Sequence, residues 1–176
     1  MSVLKPVTGK RPKLIGTDLD GTIVAHYGFI SERTKIAFTA AYKAGIHMYF
    51  VTGRPIRWMV EIKENFGFGT GICANGALLY DFNNEKVLEE WLFPVDAQLE
   101  TVKRLRQVLP NVSFAVEIGK DFNREKKYVP RWDVGQDNVG VDLIDVVLTK
   151  PALKMLARCG NGEYSSDEML GIATKE

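Results

Sequence analysis

Residues 13–81 alternate between two hydrophobic periods, and that alternation constrains the chain more than any other feature. Three apolar runs of strand length occur: KLIGT (13–17), IHMYFVTG (46–53) and the start of TGICANGALLYD (70–81). Between the first two, residues 31–45 read as a helix. Ser31 is a good N-cap, Ile36, Phe38, Ala40 and Ala41 supply the apolar positions, and Gly45 is a natural stop. Between the second and third, Pro55 opens another helix, with Trp58, Met59, Ile62 and Phe66 at helical spacing. Short apolar strands alternating with helices predict a parallel sheet with right-handed crossovers. In such a sheet, chemistry collects at the C-terminal ends of the strands. Asp18, Asp20, Thr52, Gly53 and Asn75 all fall there.

From residue 82 the pattern changes. FNNEKV is a polar turn and VLEEWLF (87–93) a candidate strand. Residues 96–109 form an amphipathic helix, with Asp96 as its expected cap. VSFAVEIG (112–119) alternates as a half-buried strand does. Residues 120–140 are polar and turn-rich, an ordered loop or hairpin containing Tyr128 and Trp132. ALKMLAR (152–158) is ambiguous in period, and residues 165–176 begin with a capping pattern and read as a final helix. The expected organisation is an α/β unit over 1–81 followed by an α+β unit over 82–176.

Composition excludes several classes. With 45% hydrophobic residues among 176, a packed core is expected and wholesale disorder is not. The net charge of +1, from 23 basic and 22 acidic residues, gives no electrostatic footprint for nucleic acid or an anionic membrane. The basic start (Lys5, Lys10, Arg11, Lys13) is broken by Pro6 and Pro12 and reads as a frayed terminus. No apolar window reaches the length of a membrane span, and no signal-peptide pattern opens the chain. Cys73 and Cys159 lack metal-ligand spacing. A cytoplasmic protein is expected.

The sharpest local feature is DLDGTI (18–23). Carboxylates at i and i+2 of an extended segment point the same way and repel unless a cation or proton sits between them. Magnesium suits such an all-oxygen set, with a substrate phosphate completing its shell. A bare DxD reads first as a polar loop with a helix-capping Asp, since short motifs match by chance. The context is longer, however: DLDGTI follows an apolar strand, VTGRP (51–55) ends the next, and CANGALLYD (73–81) follows the third.

This arrangement resembles the haloacid dehalogenase superfamily of phosphotransferases, in particular its Cof-type (class IIB) branch. Members of that branch carry a large α/β cap inserted after the third strand. The resemblance implies a Rossmann-like three-layer parallel core, here incomplete, with an α+β cap. It implies that Asp18 is the nucleophile that becomes an aspartyl phosphate. Asp20 would protonate the leaving oxygen and then activate water. Gly21 would turn the chain and, together with Thr52 and the Gly53 N–H, line the phosphoryl oxygens. Mg²⁺ would bridge Asp18, the main-chain carbonyl of Asp20 and the phosphate. Arg54 is either a substrate contact or a surface charge at a helix start. Asn75 is either a site residue or a turn residue.

Two parts that such proteins use are not found. The acidic cluster of GDxxND type is absent; its nearest look-alike, CGNGEYSSDEML (159–170), has Asn161 at the first acidic position and reads as a helix cap. For the phosphate-neutralising lysine, Lys150 and Lys154 compete, and Lys154 fits better on a cap strand facing the mouth of the site. The chain is therefore expected to stop within the cap, leaving about three parallel core strands and an unpaired edge that associates with another copy or with a missing C-terminal part. The expected function is Mg²⁺-dependent hydrolysis of small phosphorylated metabolites such as sugar phosphates. The alternatives are a catalytically weak phosphate-binding or regulatory module and a phosphomutase.

Overall fold

The computed structural model describes residues 9–25, 28–132, 134–160 and 163–175. Part of the basic start (Lys5, Pro6) and Asn161 lie outside the described residues. The first sheet has the strand order β1-β2-β3-β4-β5. Its parallel part is β1 (Leu14–Asp18), β2 (His47–Val51) and β3 (Thr70–Cys73). A turn at Ala74–Gly76 reverses the chain into β4 (Leu78–Asp81), antiparallel to β3, and β5 (Lys86–Glu90) pairs antiparallel with β4. The sheet thus runs nine residues past the division expected at 81/82. The turn into β5 is held by Asp81, which accepts from the Asn83 and Asn84 side chains, and by Glu85 at φ 52°.

Both crossovers are helical. In α1 (Glu32–Lys43) the Ser31 hydroxyl accepts from Thr34 N–H, and Gly45 follows the helix at φ 81°. The segment after Pro55 is not one helix. Pro55 caps a 3₁₀ turn (Ile56–Trp58), and α2 (Val60–Asn65) starts only after Met59 leaves helical geometry. The break leaves the Trp58 carbonyl open to Arg54 (3.5 Å). Phe38 of α1 and Phe66 after α2 both stack on Phe50 of β2, so both crossovers cover the same face of the sheet. On the strands, Met48 and Phe50 are buried there, whereas Leu14 and Val51 stay exposed. The described residues thus supply two layers, sheet and helices.

The second unit has its own core. Helix α3 (Val95–Val108) takes Pro94, not Asp96, as its N-cap, and Asp96 sits in the first turn, where its charge favours the helix dipole. A three-stranded antiparallel sheet in the order β7-β6-β8 packs with α3: β6 is Val112–Ile118, β7 Asp121–Arg124 and β8 Lys154–Cys159. ALKMLAR is therefore a strand. The expected half-buried strand, β6, is instead buried on both faces. Its polar residues have internal partners: Ser113 donates to Arg158 O, and Glu117 pairs with Arg57. Buried Glu125 accepts from Phe114 N, Ile144 N and Arg106, so its charge is met on every side. The final helix α4 (Ser166–Ala173) carries the expected capping box between Ser165 and Glu168. The two units meet where Phe93 and Ala152 exchange backbone hydrogen bonds (2.7 and 3.0 Å) and where Leu153 enters the core of the first unit.

Candidate active site

Three parallel strands end side by side. Asp18, the last residue of β1, is in register with Val51 of β2, and Val51 with Ile72 of β3. This brings the acidic loop, the TGR loop and the ANG turn to one edge. Leu19 between the two aspartates is fully buried and pins the loop to the core, while Asp18 and Asp20 stay exposed. The loop then closes on itself. The Thr22, Ile23 and Val24 N–H groups all donate to Leu19 O, and Gly21 at φ 78° donates to Val24 O (2.9 Å). Gly21 therefore shapes the turn, and its amide hydrogen is engaged by Val24 O within the loop. The Thr22 hydroxyl donates to Asp18 Oδ2 (3.3 Å).

Thr52 is buried, and its Oγ1 accepts from Arg54 N–H (3.1 Å), which leaves the hydroxyl hydrogen available to a ligand. The loop is knitted to the ANG turn by Asn75 N donating to Thr52 O (3.2 Å) and Ala74 N to Arg54 O (2.9 Å). No described residue engages the Gly53 N–H. A Cβ on Gly53 would stand 3.3 Å from both amide atoms of Asn75, so a side chain there would push the Asn75 amide aside by a few tenths of an ångström. Ala74 (φ 52°) and Asn75 (φ 61°) both adopt left-handed backbone, which is uncommon outside glycine and found at functional turns.

Arg54 is partly buried and held between two carboxylates. Its Nε donates to both Asp20 oxygens (2.9 and 3.1 Å), its Nη2 to Asp20 Oδ1, and its Nη1 to Glu61 (3.5 Å). Asp20 raises the Arg54 guanidinium above its ordinary range; burial opposes this and Glu61 adds to it. The second sheet contributes Lys154, which sequence reasoning left unpaired, and Glu117, which it missed. Lys154 Nζ reaches Gly53 O (2.8 Å) and Asn75 Oδ1 (3.2 Å). Arg57 makes a two-pronged pair with buried Glu117, and its guanidinium also lies over the Trp58 and Phe122 rings. Nothing local marks these pairs, whose members lie 101 and 60 residues apart. Lys150 donates no side chain here; its carbonyl accepts from Gln98.

A cavity of about 330 Å³ beside this edge is lined by Asp20, Gly21, Val24, Ala25, Gly28 and Arg54. A larger one, about 590 Å³, lies by β8, the 127–132 loop and the start of α4; it includes Arg158 and Tyr164 and none of the strand-end groups. We take the smaller as the site because it holds Asp20. For magnesium the fit is partial. The donors are hard oxygens, as the ion prefers, but among the described residues no group of three or more acidic, His or Cys side chains could hold an ion, and Arg54 occupies both oxygens of Asp20.

A five-stranded α/β sheet with carboxylates and a hydroxyl loop at its strand ends is an open α/β fold that gathers its functional groups at the C-terminal strand edge. Residues 15–143 match the haloacid dehalogenase-like hydrolases, and the chain belongs to that family. It is 30% identical over 96 residues to a pyridoxal phosphate phosphatase of Escherichia coli, covering 54% of this chain and 35% of the relative. It is 32% identical over 72 residues to a 5-amino-6-(5-phospho-D-ribitylamino)uracil phosphatase of Bacillus subtilis, covering 40% and 29%. Among solved structures, a phosphatase of this superfamily from Bacteroides thetaiotaomicron superposes with a TM-score of 0.64 at 20% identity, covering 84% of this chain and 55% of that one. A subclass IIB sugar phosphatase gives 0.66 at 18% identity, covering 92% and 64%. The chain thus spans about a third of the length of the curated relatives it matches. Among the described residues, no helix is long and apolar enough to cross a membrane.

Proposed function

We propose that this strand edge hydrolyses small phosphoric monoesters through an aspartyl phosphate on Asp18. The observation that carries this is the adjacency of the exposed Asp18 carboxylate, at the end of β1, to a loop on β2 with two donors to spare, the Thr52 hydroxyl and the Gly53 N–H. Held by those donors, the phosphorus faces Asp18. An Asp18 oxygen forms a bond to phosphorus while the ester P–O bond breaks, and the leaving oxygen takes a proton from Asp20. Asp20 then accepts a proton from water as that water attacks the acyl phosphate, releasing inorganic phosphate and restoring Asp18. Arg54 acts as a positioning residue, fixing where the Asp20 carboxylate stands. Bound through Asp18 and the main-chain carbonyl of Asp20, magnesium would offset the negative charge of nucleophile and phosphate.

The test is turnover of p-nitrophenyl phosphate with Mg²⁺ by this chain and by Asp18→Asn. The expected outcome is turnover that falls at least about a thousandfold in the variant. Turnover unchanged by Asp18→Asn would remove Asp18 from the reaction. A second reading, phosphate binding without turnover, is favoured by the incomplete metal-ligand set. Phosphate binding with no turnover by the chain would select it.

A further inference from the structure

Lys154 opens β8 in the second sheet, yet its ammonium ends on the first unit, at Gly53 O and Asn75 Oδ1. Both acceptors are neutral. The acid directly across the strand pair is Glu117, and Glu117 is committed to Arg57 through both of its oxygens. Lys154 therefore makes no ion pair among the described residues, and the positive Arg57 stands nearby. An ammonium has three donors, and here two are used. Burial draws it below the ordinary lysine range, with Glu117 opposing and Arg57 adding to that. A half-buried cation without a counter-charge is unfavourable alone and gains most from an incoming anion.

Its place along the edge says which anion. The strand order puts Asp18 on β1, Thr52 after β2 and Asn75 after β3. Lys154 bonds to Gly53 and Asn75, so it lies on the β3 side of the Thr52 loop, while the nucleophile lies on the β1 side. A phosphate facing Asp18 would thus direct its ester substituent along the edge within reach of Lys154.

Resting on the phosphate-ester reading above, we propose that Lys154 is a specificity-determining residue that receives a second anionic group, a carboxylate or another phosphate, carried on the leaving group of the ester. On binding, the ammonium exchanges its weaker 3.2 Å contact with Asn75 for the substrate's charge. The preferred substrates are then phosphate esters of acids rather than of neutral alcohols.

The test is calorimetric binding of phosphoglycolate and methyl phosphate, which differ by the carboxylate, to the Asp18→Asn chain in Mg²⁺ buffer. Lys154→Met and Lys154→Arg are measured in the same background, with thermal melting to confirm folding. Phosphoglycolate is expected to bind about tenfold tighter than methyl phosphate, the scale of one hydrogen bond to a charge. Lys154→Met should erase that preference while leaving methyl phosphate within about twofold, and Lys154→Arg should keep part of it. Equal affinities in the Asp18→Asn chain, or a Lys154→Met that weakens both ligands alike, would overturn the proposal while leaving the phosphate site standing. Failure of both esters to bind the Asp18→Asn chain would instead overturn the phosphate-site reading, and this proposal with it.

Discussion

Strands β6 and β1 exchange the roles their sequences suggest. VSFAVEI carries Ser113 and Glu117 on one face of its alternation, yet six of its seven residues are buried. LIGTD opens with two apolar residues, yet Leu14 is 53% exposed and no residue of the strand is fully buried. The difference lies in neighbours. β6 has a strand on each side, and its polar groups meet partners from other elements, Arg158 for Ser113 and Arg57 for Glu117. Among the described residues, β1 pairs only with β2, at the edge of a sheet whose helices cover one face. Burial follows from what stands beside a strand, and a polar residue can be interior wherever the fold supplies its complement.

The comparison breaks most clearly in the middle of β6. Phe114→Ala should cost about 4 kcal/mol of stability in urea unfolding, since the ring is fully buried. A loss under about 1 kcal/mol would mean that β6 is not the enclosed strand described. Next is Glu117→Gln, which leaves Arg57 without its counter-charge. It should cost about 2–3 kcal/mol, less than a fully enclosed pair because Arg57 is partly exposed. The Arg57→Met, Glu117→Gln double variant should recover part of that, and strictly additive losses would deny the coupling.

Smaller still is the Asp81 turn joining β4 to β5. Hydrogen bonds from Asn84, then Asn83, hold its carboxyl down at about 2. The stability it adds is complete above the ordinary carboxylate range and is lost as pH falls through about 2. Asp81→Asn should flatten that acid limb, and an NMR titration of Asp81 with a midpoint near 4 would contradict the turn geometry. At the open edge, Leu14→Lys should change stability by no more than about 0.5 kcal/mol. It should lower self-association in sedimentation velocity, because a lysine on an edge strand discourages pairing. A parent chain monomeric at every concentration would remove that edge as a site of association.

These contrasts show which parts were legible in the sequence. The strand ends were, because Asp18, Thr52 and Asn75 each follow an apolar run, and chain order in a parallel sheet becomes spatial order. The final helix was, because Ser165 and Glu168 form a local capping pair. Strand β5 was harder to place, since all five of its residues are exposed and no buried face announces its sheet. The break at Met59 was hidden because Trp58, Met59, Ile62 and Phe66 keep helical spacing across it. The pairs that organise the site, Arg54 with Asp20, Arg57 with Glu117 and Lys154 with Gly53, join residues 34 to 101 positions apart. A charge in a sequence shows a need for a partner, and only the fold says which one it has.

The left-handed turn at Ala74–Asn75 has one more consequence. A glycine at 74 would remove roughly 1 kcal/mol of backbone strain, but the alanine methyl is buried in the first core and resists any flip of the peptide. Ala74→Gly would therefore leave the melting temperature nearly unchanged while blurring the position of the Asn75 amide against Gly53. Mutational tolerance at this position, measured by folding alone, would conceal a loss of registration between the two loops that Asn75 and Thr52 tie together.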